Sequence, residues 1–264
     1  MRTFRIFFLS LLCMPVCVSA ADMTAKEVMK EMEQRHQVTS EASENVMLLV
    51  DRRGNKETRT VKSFYKDLGD GESRLLFVFI DPAAVKGVSM LTWNHEGREN
   101  DQWLYLPSQG KMRRVAQSSK KSYFLGTDIT FEDMEPEEMD NFNYTMLDAE
   151  TVDGHDCFVI EAVLADQAKL KASGYSKRKL WIRKDIFFVV KTEYYDRGGR
   201  LLKTQTSHDL FNVEGTIWRA KKTLIDNHKK NHKTLTGIKS SEINLSIDEQ
   251  VFTERYITSG KHIQ

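Results

Sequence analysis

The chain has 264 residues, with 39 lysines and arginines against 38 aspartates and glutamates, so it is long enough to bury a sizeable core and is close to electroneutral. That balance excludes the strong basic field on which nucleic-acid binding rests, and no nucleic-acid partner is expected. Of its three cysteines, Cys13 and Cys17 crowd near the N-terminus and Cys157 stands apart, which excludes a disulfide framework.

The first residues, Met1 to Arg5, carry two arginines, and Ile6 to Val18 is apolar apart from Ser10. This is the pattern of an export signal, and Val18-Ser19-Ala20 puts small residues at the cleavage site, so a cut between Ala20 and Ala21 is predicted. A retained anchor needs about 20 apolar residues, more than this run supplies. Lipid attachment at Cys13 or Cys17 is the other alternative, but Leu12 and Val16 precede them where a lipobox has Gly or Ala. Cleavage removes Arg2 and Arg5, so 37 of the 39 basic residues remain against 38 acidic ones. Cys157 is then the single cysteine, and beside Phe158 it reads as a small apolar strand residue.

Next comes a helix over 24–37. Thr24 can cap it, Glu27 stands three residues on, and Val28, Met29 and Met32 form an apolar stripe. The texture then changes to short runs of Val, Ile, Phe, Tyr and Thr separated by turn signals such as Asp70-Gly71, Asp153-Gly154 and Arg197-Gly-Gly-Arg200. Strands are predicted at 44–51, 57–68, 73–80, 87–94, 101–106, 111–115, 142–150, 156–164, 178–184, 187–195, 200–210, 216–226 and 234–245. Tight links make them mostly antiparallel, and a sheet this long curls or closes. A helical patch is predicted around 119–140 and another around 247–256. No linker or repeat divides residues 21–264, which read as one domain. Both faces of Leu75 to Ile80 are apolar, so each must be covered.

No catalytic constellation stands at diagnostic spacing. His228-Lys-Lys-Asn-His232 has i, i+4 spacing but falls in a lysine-rich turn, where solvated side chains are expected instead of metal ligands. His155-Asp156 follows a hairpin turn. The acidic run Glu132 to Asp140 matches no calcium loop and reads as a solvated helical face. Enzymatic activity, a metal and a cofactor are therefore not expected.

Between Asp81 and Asp133 the sequence is distinctive. Asp81 to Trp93, Asp101-Gln-Trp-Leu-Tyr-Leu-Pro107, Met112-Arg-Arg-Val115 and Ser122 to Asp133 follow in close order. Together they resemble the LolA-like family of outer-membrane lipoprotein-sorting proteins. The resemblance implies a mainly β fold, a half-open, strongly curved antiparallel β-barrel with helices covering an apolar cavity. It also implies a periplasmic carrier of lipoprotein or lipid acyl chains, or an accessory, lipid-sensing subunit of an inner-membrane exporter. For the cavity lining, Phe77, Phe79, Leu91, Trp93, Trp103 and Tyr105 are the candidates, being aromatic or apolar and alternating within their strands. Arg113 and Arg114, near Lys111, Lys120 and Lys121, are candidates for lipid headgroup or partner contact, with pairing to the following acids as the alternative.

Overall fold

The computed structural model describes residues 23–263, so the expected export signal and cleavage site lie outside the described residues. Helix α1 (Ala25–His36) begins at a reciprocal cap. The Thr24 hydroxyl accepts from the Glu27 N–H, and the Glu27 carboxylate accepts from the Thr24 N–H at 2.7 Å, satisfying two donors that a helix start leaves free. Ala25, Val28 and Met29 are its buried face.

Thirteen strands follow: β1 (Ser40–Val50), β2 (Lys56–Gly69), β3 (Glu72–Asp81), β4 (Ser89–Asn94), β5 (Asp101–Leu106), β6 (Lys111–Arg114), β7 (Phe142–Val152), β8 (His155–Leu164), β9 (Tyr175–Arg183), β10 (Val189–Asp196), β11 (Leu201–Glu214), β12 (Ile217–Asn227) and β13 (His232–Ile243). They form one antiparallel sheet in the order β6-β5-β4-β3-β2-β1-β13-β12-β11-β10-β9-β8-β7. The Asp70-Gly71 and Asp153-Gly154 turns have both residues at positive φ, the geometry that a two-residue hairpin between right-twisted strands favours.

Because β6 and β7 are the two edges of this sheet, the segment joining them, residues 115–141, must cross from one edge to the other. It does so inside the curve. Its groups bond to β2, β5, β9, β11, β12 and β13, and one segment can reach strands so widely separated only from a concave face. The result is a half-open, strongly curved barrel whose interior is filled by its own plug. The helical patch expected around 119–140 is reduced to short turns. Only 3-10 turns at Gln117–Ser119, Glu132–Met134 and Met139–Asn141 form there. Leu125 and Gly126 at positive φ, the Tyr123–Thr130 bridge and Pro136 interrupt helical geometry, and sheet side chains supply the hydrogen bonds instead.

Two apolar clusters lie on the concave face. Phe158, Ile160, Ala162, Leu180, Ile182 and Phe187 pack against α1; Met47, Leu49, Val61, Phe79 and Met90 pack against Phe124 and Met134 of the plug. On the convex face, Leu76, Val78, Leu91 and Tyr105 are covered by Ile247, Phe252 and Ile257 of the C-terminal segment. That segment holds a 3-10 turn (Glu249–Phe252) and helix α3 (Glu254–Thr258), close to the predicted helix. Cys157 is buried on the convex face with Val159 and Trp181. A short helix that sequence patterning did not indicate, α2 (Gln167–Ala172), is capped by Asp166, whose carboxylate accepts from Ala168 and Lys169 N–H groups at 2.7 and 2.8 Å.

Candidate functional site

The register of β3, β4 and β5 decides where the six candidate lining residues go. Phe77 pairs with Met90 and Met90 with Leu104, whereas Leu76 pairs with Leu91 and Leu91 with Trp103. Paired residues share a face. Phe77 and Phe79 therefore point inward, where their rings meet at 5.4 Å and Phe79 stacks on Phe124 of the plug at 5.6 Å. Leu91, Trp93, Trp103 and Tyr105 point outward. Trp93 lies 5.2 Å from Trp103, donates its indole N–H to the Phe252 carbonyl at 3.0 Å and carries the Arg74 guanidinium on its face. Tyr105 packs edge-on against His262. The six residues thus form two sets on opposite faces of the sheet, because alternation sorts side chains within a strand but leaves the offset between neighbouring strands open. Of the two arginines, Arg114 pairs with Asp101. Arg113 is exposed on the edge strand β6 and has no ion pair among the described residues.

The plug is held by a buried polar network that the sequence reading placed in solvent. Lys203, 1 % exposed, donates to the Asp128 carbonyl at 2.9 Å and to the Asp133 carboxylate at 2.5 Å. Tyr175 donates to the other Asp133 oxygen at 2.8 Å. Fully buried Asp128 accepts from the Thr234 hydroxyl at 2.8 Å and from His232 Nδ1 at 2.6 Å. Glu132 accepts from Ser173 and from the Gly174 N–H. Arg178 pairs with Glu137 and sits among the rings of Phe142, Tyr175 and Tyr194. Arg59 donates to the Leu125 carbonyl at 2.7 Å. Through Glu132, Asp133, Glu135 and Glu137 the acidic run is consequently an internal latch and not a solvated helical face, with Asp140 at its end the only one of its acids exposed, and His232 is a half-buried partner of Asp128. Lys120 pairs with Glu135 at 2.5 Å, the pairing alternative for the basic neighbourhood.

Burial governs the ionisation of this network. It pushes the Tyr175 and Tyr194 phenols well up, with Asp133 adding to the effect, and raises the Glu135 carboxyl. Burial also lowers the Lys203 ammonium against the pull of Asp133. Among the described residues no group of His, Cys, Asp and Glu side chains is arranged to hold a metal ion.

Where the plug ends, a groove stays open. It has a volume of about 500 Å³ and lies between α1 and the concave sheet, lined by Met29, Met32, Val38, Met139, Leu180 and Val189, with Glu33, Glu41 and Arg219 among its polar groups. This falls within the roughly 300–1,000 Å³ of small-molecule sites, and its three methionines give it an adaptable wall. His36 at the end of α1 accepts the Trp218 N–H on Nδ1 and faces the Phe187 carbonyl through Nε2, both at 3.1 Å. That fixes the neutral imidazole with its proton on Nε2, and burial holds its pKa below the usual histidine value.

The half-open, strongly curved antiparallel sheet is a LolA-like fold. A family model described as "Uncharacterized protein-like" matches residues 71–259, and the chain belongs to that family. No curated protein matches the chain in sequence. Among solved structures, the chain is similar to a Vibrio parahaemolyticus domain provisionally described as an outer membrane lipoprotein-sorting protein, with 26% identity and a TM-score of 0.83 over 91% of this chain and 100% of that one. A DUF1329 family protein from Desulfovibrio piger gives 26% identity and a TM-score of 0.82 over 88% and 97%. A LolA superfamily protein from Nitrosomonas europaea shares the fold at 20% identity and a TM-score of 0.69, over 89% and 99%. No described helix is long and apolar enough to cross a membrane.

Proposed function

We propose that this protein is a periplasmic carrier that holds acyl chains of a lipoprotein or lipid and moves them toward the outer membrane. In this reading residues 1–20 are removed on export and residues 21–264 work as one domain without enzymatic activity. The observation that carries it is the methionine-rich apolar groove beneath α1, on a fold shared with lipoprotein-sorting domains. Each buried methylene is worth about 0.8 kcal/mol, so ten of them supply about 8 kcal/mol before the losses of association are subtracted. Acyl binding therefore needs no covalent chemistry.

Phe77 and Phe79 join the site when the plug moves, because they now face Phe124. Release requires a competing partner or a shifted plug, since a ligand changes an equilibrium only through its different affinities for the two states. The same internal plug favours the second reading, an accessory subunit that senses lipid and signals to an inner-membrane exporter. Titration with a fluorescent fatty-acyl probe tests the carrier reading. Saturable binding that Met32→Trp weakens at least tenfold, by filling the groove, is expected. Absence of saturable binding, or a Met32→Trp protein that binds as wild type, would overturn it.

A further inference from the structure

The Arg197-Gly-Gly-Arg200 turn between β10 and β11 and the lysine-rich turn between β12 and β13 close the same end of the half-barrel, because these four strands are successive antiparallel neighbours. With Lys121 of the plug, they ring a cavity of about 570 Å³ whose floor holds Tyr123, Thr130, Tyr175 and Leu202. Arg200 on this rim is neutralised by Asp196 at 3.0 Å. The other cations, Lys121, Arg197, Lys229 and Lys230, have no carboxylate partner among the described residues.

Two of them are nevertheless held in place. Arg197 donates to the Lys171 carbonyl at 2.8 Å, which orients its fork at the rim, and the Lys230 ammonium sits 3.3 Å from the centre of the Tyr123 ring. Four like charges around one opening repel one another, and an anion placed among them relieves that repulsion. Charge is polarised along the barrel in the same sense. The β1–β2 turn and the β3–β4 connection add Arg52, Arg53 and Lys86 at this end, whereas turns at the opposite end carry Asp70, Glu96 and Asp153.

We propose that this cavity binds the phosphate group of an anionic lipid. The lysines and the arginine fork match phosphate oxygens, and the aromatic and apolar floor suits the part of the headgroup nearest the hydrocarbon. A basic end of this kind is also drawn to an anionic leaflet, so it presents the protein to the membrane in one orientation. The proposal does not depend on what occupies the groove beneath α1.

Vesicle co-sedimentation at low salt tests it, using phosphatidylcholine vesicles with and without phosphatidylglycerol, and inorganic phosphate as competitor. Wild type is expected to bind only the phosphatidylglycerol vesicles. Lys229→Ala/Lys230→Ala should weaken that binding roughly 25-fold and Arg197→Ala roughly fivefold, at about a fivefold loss for each surface charge. All three side chains are exposed, and unchanged melting temperatures would confirm folding. The pair Arg52→Ala/Arg53→Ala, at the same end but outside the cavity, should lose far less. An equal loss in both pairs would assign binding to diffuse charge and overturn the site. Unchanged binding in both Lys229→Ala/Lys230→Ala and Arg197→Ala would also overturn it, and complete displacement by millimolar inorganic phosphate would make free phosphate, and not lipid, the ligand.

Discussion

Lys203→Met cuts the plug's central tether while keeping the side chain's length. Lys203 is the buried donor common to the Asp128 carbonyl and the Asp133 carboxylate. Without it, Asp133 keeps only Tyr175 and the Thr130 N–H, at 2.8 and 2.7 Å. Removing one partner of a buried ion pair costs about 3–5 kcal/mol. Burial already disfavours the ammonium here, which offsets part of that cost and points to the low end, about 3 kcal/mol. At about 2–4 °C per kcal/mol for a chain of this size, the melting temperature should fall by roughly 6–12 °C. Hydrogen exchange should accelerate most at residues 122–134. Adding Asp133→Asn should recover part of the loss, with a coupling of at least about 1 kcal/mol, because the two residues act as one unit. A Lys203→Met protein within about 1 kcal/mol of wild type, with plug amides unchanged, would refute the latch.

Phe124→Ala, which empties the plug's anchor among Phe77, Phe79 and Phe131, should cost about 3–5 kcal/mol in urea unfolding. Gly71→Ala should destabilise more than Gly154→Ala. Both glycines have positive φ, but only at Gly71 does an added Cβ crowd a neighbour, lying 3.1 Å from the Glu96 Cβ even after the mobile Glu96 carboxylate swings away. His36 has a folded-state pKa below the ordinary 6.5, so its contribution to stability is present above pH 6.5 and is lost as pH falls through the depressed value. Protonating Nδ1 expels the Trp218 N–H. Exchange at the end of α1 should therefore rise on acidification from pH 7 to 5, and His36→Gln should flatten that dependence.

Much of the fold was legible because its signals are local. Alternation and turn chemistry marked thirteen strands, and Thr24 with Glu27 marked the start of α1. The plug was not legible as such. Its Ser, Asp and Glu residues look like caps and a wet helical face, and their partners Lys203, Tyr175, His232 and Thr234 lie from about 40 to more than 100 residues away in sequence. Nothing within a window of a dozen residues announces such pairings. The candidate lining was legible strand by strand but not across strands. Placing Leu91 beside Leu76 and away from Phe77 takes one unit of register, and an apolar residue suits either face when both are covered.

The central claim, that apolar cargo lies between α1 and the concave sheet, is tested most directly by crosslinking. The protein is loaded with a photoactivatable fatty-acyl chain, irradiated and mapped by peptide mass spectrometry. Adducts should concentrate on Met29, Met32, Met139 and Leu180, the walls of the groove. Adducts confined to the convex cluster around Trp93 and Trp103, or spread evenly over the surface, would contradict it.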